Sequence, residues 1–139
     1  MAEDCVFCRI AKGEIPATRL FENESVLGFL DISPASKGHA LVITKKHYAT
    51  LLDAPPGELG AAIEAVQKIA AATMASVPGI EGFNVLQSNS RAAGQVIPHV
   101  HFHIIPRYKD DGVHFSWQHG KPEAEELEKY AALVKKKMK

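Results

Sequence analysis

The chain has 139 residues, 46% hydrophobic and 23% charged, with 16 basic and 16 acidic side chains and a formal net charge of zero. That length is enough for one domain, residues 1–139, with a real hydrophobic core, and the neutral balance argues against bulk attraction to nucleic acid or to an anionic membrane surface. No apolar run approaches the roughly 20 residues of a membrane span, and the acidic, Cys-bearing start is not an export signal; both predict a cytoplasmic protein.

In chain order, residues 4–12 read as a short helix with Asp4 as its N-cap and Phe7 and Ile10 on one side. Gly13 and Pro16 end it. Arg19–Glu22 and Val26–Leu30 read as two strands joined by a turn at Asn23-Glu24-Ser25. A loop from Asp31 to Gly38 leads into a third, apolar strand, His39–Thr44. After Pro55-Pro56, the spacing of Leu59, Ile63, Val66, Ile69 or Ala70, and Met74 predicts a helix with one apolar stripe, ended by Pro78-Gly79. Phe83–Gln87 alternates as a fourth strand. A polar loop from Ser88 to Gly94 precedes the fifth.

That fifth strand, His99–Ile105, alternates His99, His101 and His103 with Val100, Phe102 and Ile104, and Pro106 stops it. Period two places the three imidazoles on one face and the apolar residues on the other. A C-terminal segment, residues 107–139, is irregular through Trp117. It then forms a helix opened by Lys121-Pro122-Glu123, with Leu127, Tyr130, Ala131 and Val134 on its apolar side. Consecutive strands and two main helices predict an α+β domain on a five-stranded antiparallel sheet.

A lone strand histidine is most simply a packed or exposed residue; three in alternation are not. A single metal ion held by all three is disfavoured, because the third in line struggles to reach it. Nucleophilic attack on phosphorus fits better: one neutral imidazole attacks, and a protonated neighbour donates to phosphate oxygens. The small-residue loop Arg91–Gln95 offers backbone amides to the same anion.

His99-Val100-His101-Phe102-His103-Ile104-Ile105 resembles the signature of the histidine triad family, in particular its adenosine phosphoramidase or protein kinase C-interacting branch. Phe29–Pro34, Gly38–Ile43 and Ala93-Gly94-Gln95 resemble the family's upstream motifs and phosphate loop. The resemblance implies a nucleotide hydrolase acting at the α-phosphate of a purine nucleotide conjugate. It also implies a homodimer whose sheet runs across both subunits. His101 would be the nucleophile, His103 the phosphate contact, and His39 and His99 the rest of the catalytic cluster. Asp31 would bind the ribose hydroxyls, and Phe7, Ile10, Phe29 and Ile32 would enclose the base, although these four also read as ordinary core. Ser88, Asn89, Gly94, Gln95 and Val96 would complete the substrate site. Here Ser88 and Val96 stand where one branch has Asn and Ser, so the side-chain donor expected beside the leaving group is missing.

Cys5-Val6-Phe7-Cys8 alone reads equally as redox-active, structural or half of a zinc site. The resemblance implies structural zinc held by Cys5, Cys8, His47 and His99; the plain alternative is two reduced thiols and an exposed His47. Two other functions stay open: dinucleoside polyphosphate hydrolysis with the same residues, and a zinc-stabilised nucleotide-binding scaffold with little catalysis.

Overall fold

The computed structural model describes residues 4–138. Its elements are α1 (Val6–Ala11), β1 (Arg19–Glu22), β2 (Val26–Leu30), β3 (Ala40–Thr44), α2 (Pro56–Ser76), β4 (Gly82–Leu86), β5 (His101–Arg107) and α3 (Ala124–Lys137). The five strands form one antiparallel sheet in the order β1-β2-β3-β5-β4. This is the α+β arrangement that the order of elements predicts. The β1–β2 turn is closed by Asn23, whose Oδ1 accepts the N–H groups of Ser25 and Val26, both at 2.9 Å.

Each face of the sheet carries its own apolar cluster. On one side Val26, Ala40, Val42, Phe102 and Ile104 pack against Ala62, Ala65, Val66, Ile69 and Ala70 of α2. On the other, Leu27, Phe29, Leu41 and Ile43 pack against Cys5, Phe7, Cys8 and Ile10 around α1. A strand covered on both faces needs apolar residues at every position, and all five residues of β3 are buried. Burial of each such Val, Leu or Ile is worth about 1.5–3 kcal/mol.

The buried stripe of α2 differs from the expected one. Ile63 is 49% exposed and Met74 38% exposed, while Ala62 and Ala65 face the core. Small residues let the helix lie close to the sheet. At Gly28 that approach is tight enough that a Cβ would collide with Cδ1 of Ile69.

Element ends also differ. The helix at the N-terminus is capped by Cys5 rather than Asp4: its Sγ accepts the Cys8 N–H at 3.5 Å. β4 lies one residue earlier than Phe83–Gln87. The last helix starts at Ala124 with Glu123 as its cap, leaving Pro122 outside, and none of its residues is buried. β5 starts at His101, not His99, and runs through Pro106 to Arg107. Proline is tolerated there because pairing with β3 ends at Ile104, so Pro106 pairs only with Phe83 of β4. No helix of the described residues is long and apolar enough to cross a membrane.

Candidate active site and metal centre

Antiparallel pairing sets Leu41 opposite His103 and Ile43 opposite His101, so both imidazoles stand on the face shared with α1. They open into a cavity of about 500 Å³ whose walls include Phe7, Ile10, Phe29, Asp31, Ile32, Gly94 and Val96. Ile32 and Val96 lie at its open rim, 95% and 84% exposed. Phe7 packs edge-on against Phe29, with ring centroids 5.9 Å apart, and against His101 at 5.0 Å.

Hydrogen bonds assign a tautomer to each histidine. The Ala35 N–H donates to Nδ1 of His39 at 2.9 Å, which leaves the His39 proton on Nε2. That Nε2–H donates to Nδ1 of His103 at 2.9 Å, leaving the His103 proton on Nε2. The Asp31 carboxylate stands 3.6 Å from the same His39 nitrogen, and its Oδ1 accepts the Ser33 N–H at 2.8 Å. In the middle, Nδ1–H of His101 donates to the His99 carbonyl at 2.6 Å. The free nitrogen of His101 is therefore Nε2, with its lone pair available.

Burial favours the neutral imidazoles. It lowers the pKa of His39 and His101 and takes His103 down to about 4; the charge of Asp31 opposes the shift at all three. Burial thus favours a neutral His103 that offers its Nε2–H, in place of the protonated neighbour expected.

His99 has separated from the other two. It precedes the strand, is fully buried, and donates Nε2–H to the Thr44 carbonyl at 2.7 Å. Its Nδ1 lies 3.3 Å from Sγ of Cys5 and 3.5 Å from Sγ of Cys8, and Nδ1 of His47 lies 3.3 Å from the Cys8 sulfur. The four candidate ligand atoms all fall within 4.8 Å of one another. A tetrahedral zinc with Zn–S about 2.3 Å and Zn–N about 2.0 Å sets its S···N ligand pairs about 3.5 Å apart, so this set fits the ion. The Thr44 carbonyl supplies the outer hydrogen bond that such a histidine ligand needs. Without an ion, burial raises the Cys8 thiol to about 11.

The loop before β5 departs from expectation. Asn89 uses Oδ1 to accept the Leu51 N–H at 2.7 Å, and the Ser88 carbonyl accepts from Gln87 at 3.4 Å. Gln95 is buried, donating to the Ala49 carbonyl at 2.7 Å and accepting the Ser90 N–H at 2.8 Å. The Asn89 and Gln95 side chains hold the loop, and neither they nor Ser88 are among the residues that line the cavity. The N–H groups of Ala93, Gly94 and Gln95 are turned inward to carbonyls of Ser90 and Arg91, so they do not form the expected anion cradle. Gly94 turns the chain at φ +92°, a conformation natural to glycine. The carbonyls of Thr44, Ala49 and His99 carry no sequence signal and were not foreseeable as site elements.

These features accompany a family assignment: residues 12–110 match the HIT domain, and the chain belongs to that family. It is 40% identical over 136 residues to an adenosine 5′-monophosphoramidase of Schizosaccharomyces pombe, covering 97% of this chain and 98% of that one. Its fold superimposes on a HIT family protein from Bacillus anthracis with TM-score 0.94 and 37% identity, over 100% of both chains. A zinc-bound histidine triad family protein from Mycobacterium smegmatis gives TM-score 0.77 at 37% identity, over 97% of this chain and 96% of that one.

Proposed function

We propose that this protein is a nucleotide hydrolase that cleaves a purine nucleoside 5′-phosphoramidate, or a related conjugate, at the α-phosphate. The observation that carries the reading is the pair of opposed tautomers: His101 offers a lone pair at Nε2, and His103 a proton at Nε2, on one wall of one cavity.

His101 Nε2 attacks the α-phosphorus, a P–N bond forms, and the bond to the leaving group breaks with its electron pair. The Nδ1–H bond to the His99 carbonyl steadies the imidazolium that results. His103 Nε2–H donates to a phosphate oxygen and stabilises the charge that develops there. Water then attacks phosphorus, releases the nucleoside monophosphate and restores His101. The base lies between Phe7, Ile10, Phe29 and Ile32, and the ribose hydroxyls donate to Asp31. Val96, at the rim beside Gly94, offers the leaving group no side-chain donor, so an amine leaving group takes its proton from water.

The Cys5, Cys8, His47 and His99 set would hold structural zinc, fixing α1 against the sheet. Reduced thiols suit a reducing cytoplasm. The edge strand β4 supports a homodimer with a shared sheet, because Phe83 and Val85 are 43% and 45% exposed on it. The whole chain acts as one domain.

The test is turnover of adenosine 5′-phosphoramidate by wild type and His101→Ala. The reading expects loss of at least about a thousandfold in kcat, and wild-type rates in the variant contradict it. Faster cleavage of a diadenosine polyphosphate than of the phosphoramidate would move the assignment to that substrate class.

A further inference from the structure

Three separate routes lead from the Cys/His cluster toward the proposed catalytic residue His101: two contact it and the third holds its neighbour Val100. His99 belongs to both sites: its ring faces the sulfurs, while its backbone carbonyl holds His101 Nδ1 at 2.6 Å. Phe7 lies between the two cysteines in sequence and sets its ring edge-on to His99 at 5.8 Å and to His101 at 5.0 Å. His47 is followed by Tyr48 and Ala49. The Tyr48 carbonyl accepts the Val100 N–H at 2.8 Å, and the Ala49 carbonyl accepts from Gln95, the residue that braces the 90–95 loop.

From this geometry we infer that metal loading of the Cys5–Cys8–His47–His99 cluster positions the nucleophile, by fixing the His99 carbonyl and the Phe7 ring against His101. The inference rests on the functional reading above, in which His101 attacks. An ion bound to His99 Nδ1 locks the ring from one side while the Thr44 carbonyl locks it from the other at 2.7 Å. Without the ion, that ring is held at Nδ1 only by weak thiol contacts, which leaves the backbone of residues 99–100 freer to move. His99, Phe7 and His47 are positioning residues in this account, since none of them needs to touch the substrate's phosphorus.

The structure contains its own internal control. His39 and His103 are oriented by the Ala35 N–H and by each other, with no hydrogen bond to the cluster. His103 lies edge-on to His101 with ring centroids 5.0 Å apart, so the control is His39: metal state should change His101 and leave the His39 tautomer alone.

The experiment is nitrogen NMR of the imidazoles in ¹⁵N-histidine-labelled protein, zinc-loaded and after removal of zinc by a chelator. His101 should show one Nδ1–H tautomer when loaded and an averaged signal when stripped, with His39 unchanged. An identical His101 signal in both folded states overturns the inference. Should stripping unfold the chain, the second arm keeps it folded: zinc is exchanged for cadmium, whose longer bonds to sulfur and nitrogen shift the His99 ring, and the imidazole spectrum is recorded again. The His101 signal should move on exchange while that of His39 stays, and an unmoved His101 signal overturns the inference. Wild-type turnover in His101→Ala contradicts the functional reading instead, and the spectra then judge the coupling on their own.

Discussion

His39 donates its Nε2 proton to Nδ1 of His103 across 2.9 Å, and the donation is directed by the Ala35 N–H at the far side of the His39 ring. One backbone amide thus determines which nitrogen of His103 presents a proton to the cavity. His39→Leu removes the relay and lets His103 sample both tautomers. A neutral hydrogen bond is worth about 0.5–1.5 kcal/mol, so kcat on adenosine 5′-phosphoramidate should fall by about three- to tenfold with KM nearly constant. A drop confined to KM would contradict the relay.

Asp31 has one oxygen occupied by the Ser33 amide, while Oδ2 lies toward His39 at the cavity wall. In the proposed role of ribose contact, it should be worth the roughly 1.5–3 kcal/mol of a hydrogen bond to a charged group. Asp31→Asn should lower kcat/KM by about 10- to 100-fold, and the variant should no longer distinguish the ribonucleotide from its 2′-deoxy analogue. A variant that keeps the discrimination would place the ribose elsewhere.

Gln95 is buried with both ends of its amide bonded, to Ala49 and to Ser90. Gln95→Ala leaves those groups unpaired in a closed space, which costs about 1–3 kcal/mol. Denaturant unfolding should show that loss, and KM should rise as the 90–95 loop loosens. Unchanged stability would show that the loop is held by its backbone bonds alone.

The depressed pKa of His103, about 4, and that of His39 make stability depend on pH in a stated direction. Unfolded histidine takes up a proton near pH 6.5, and the folded groups resist until the pH is much lower. Stability is therefore full above about pH 6.5 and is lost as pH falls toward about 4. The groups facing the pair are Asp31, which opposes the shift at both, and His101, which reinforces it at His103. Denaturant midpoints measured from pH 7.5 to 4.5 should fall, and His103→Gln should flatten part of the decline. A midpoint that rises on acidification would refute the burial argument.

The sheet was legible because its signals are local. Alternation and the Asn23 turn give β1 and β2 their bounds, and the order of elements gives the antiparallel class. Where packing decides, sequence pattern was a poorer guide. The stripe of α2 reads as Ile63 and Met74 by hydrophobicity but is Ala62 and Ala65 in the fold, because the close approach at Gly28 selects for size. Pro106 looked like a strand end, yet its missing N–H is harmless on a stretch paired to one neighbour. Alternation alone makes the three histidines equivalent, and only the family resemblance sets His99 apart as a zinc ligand; in the fold the strand begins at His101, and the His99 ring lies against sulfurs more than ninety positions away, as that resemblance implies. Asn89 and Gln95 looked like substrate contacts because nothing in a sequence displays the carbonyl or amide that a side chain will meet.

In the proposed mechanism His101 Nε2 becomes covalently bonded to the α-phosphorus. Rapid quenching of a single turnover with adenosine 5′-phosphoramidate, followed by peptide mass spectrometry, tests it directly. An adenylyl adduct on His101 should appear, decay with product release, and be absent in His101→Ala. Full product formation with no adduct on His101 at any time, or an adduct on His103 instead, would contradict it.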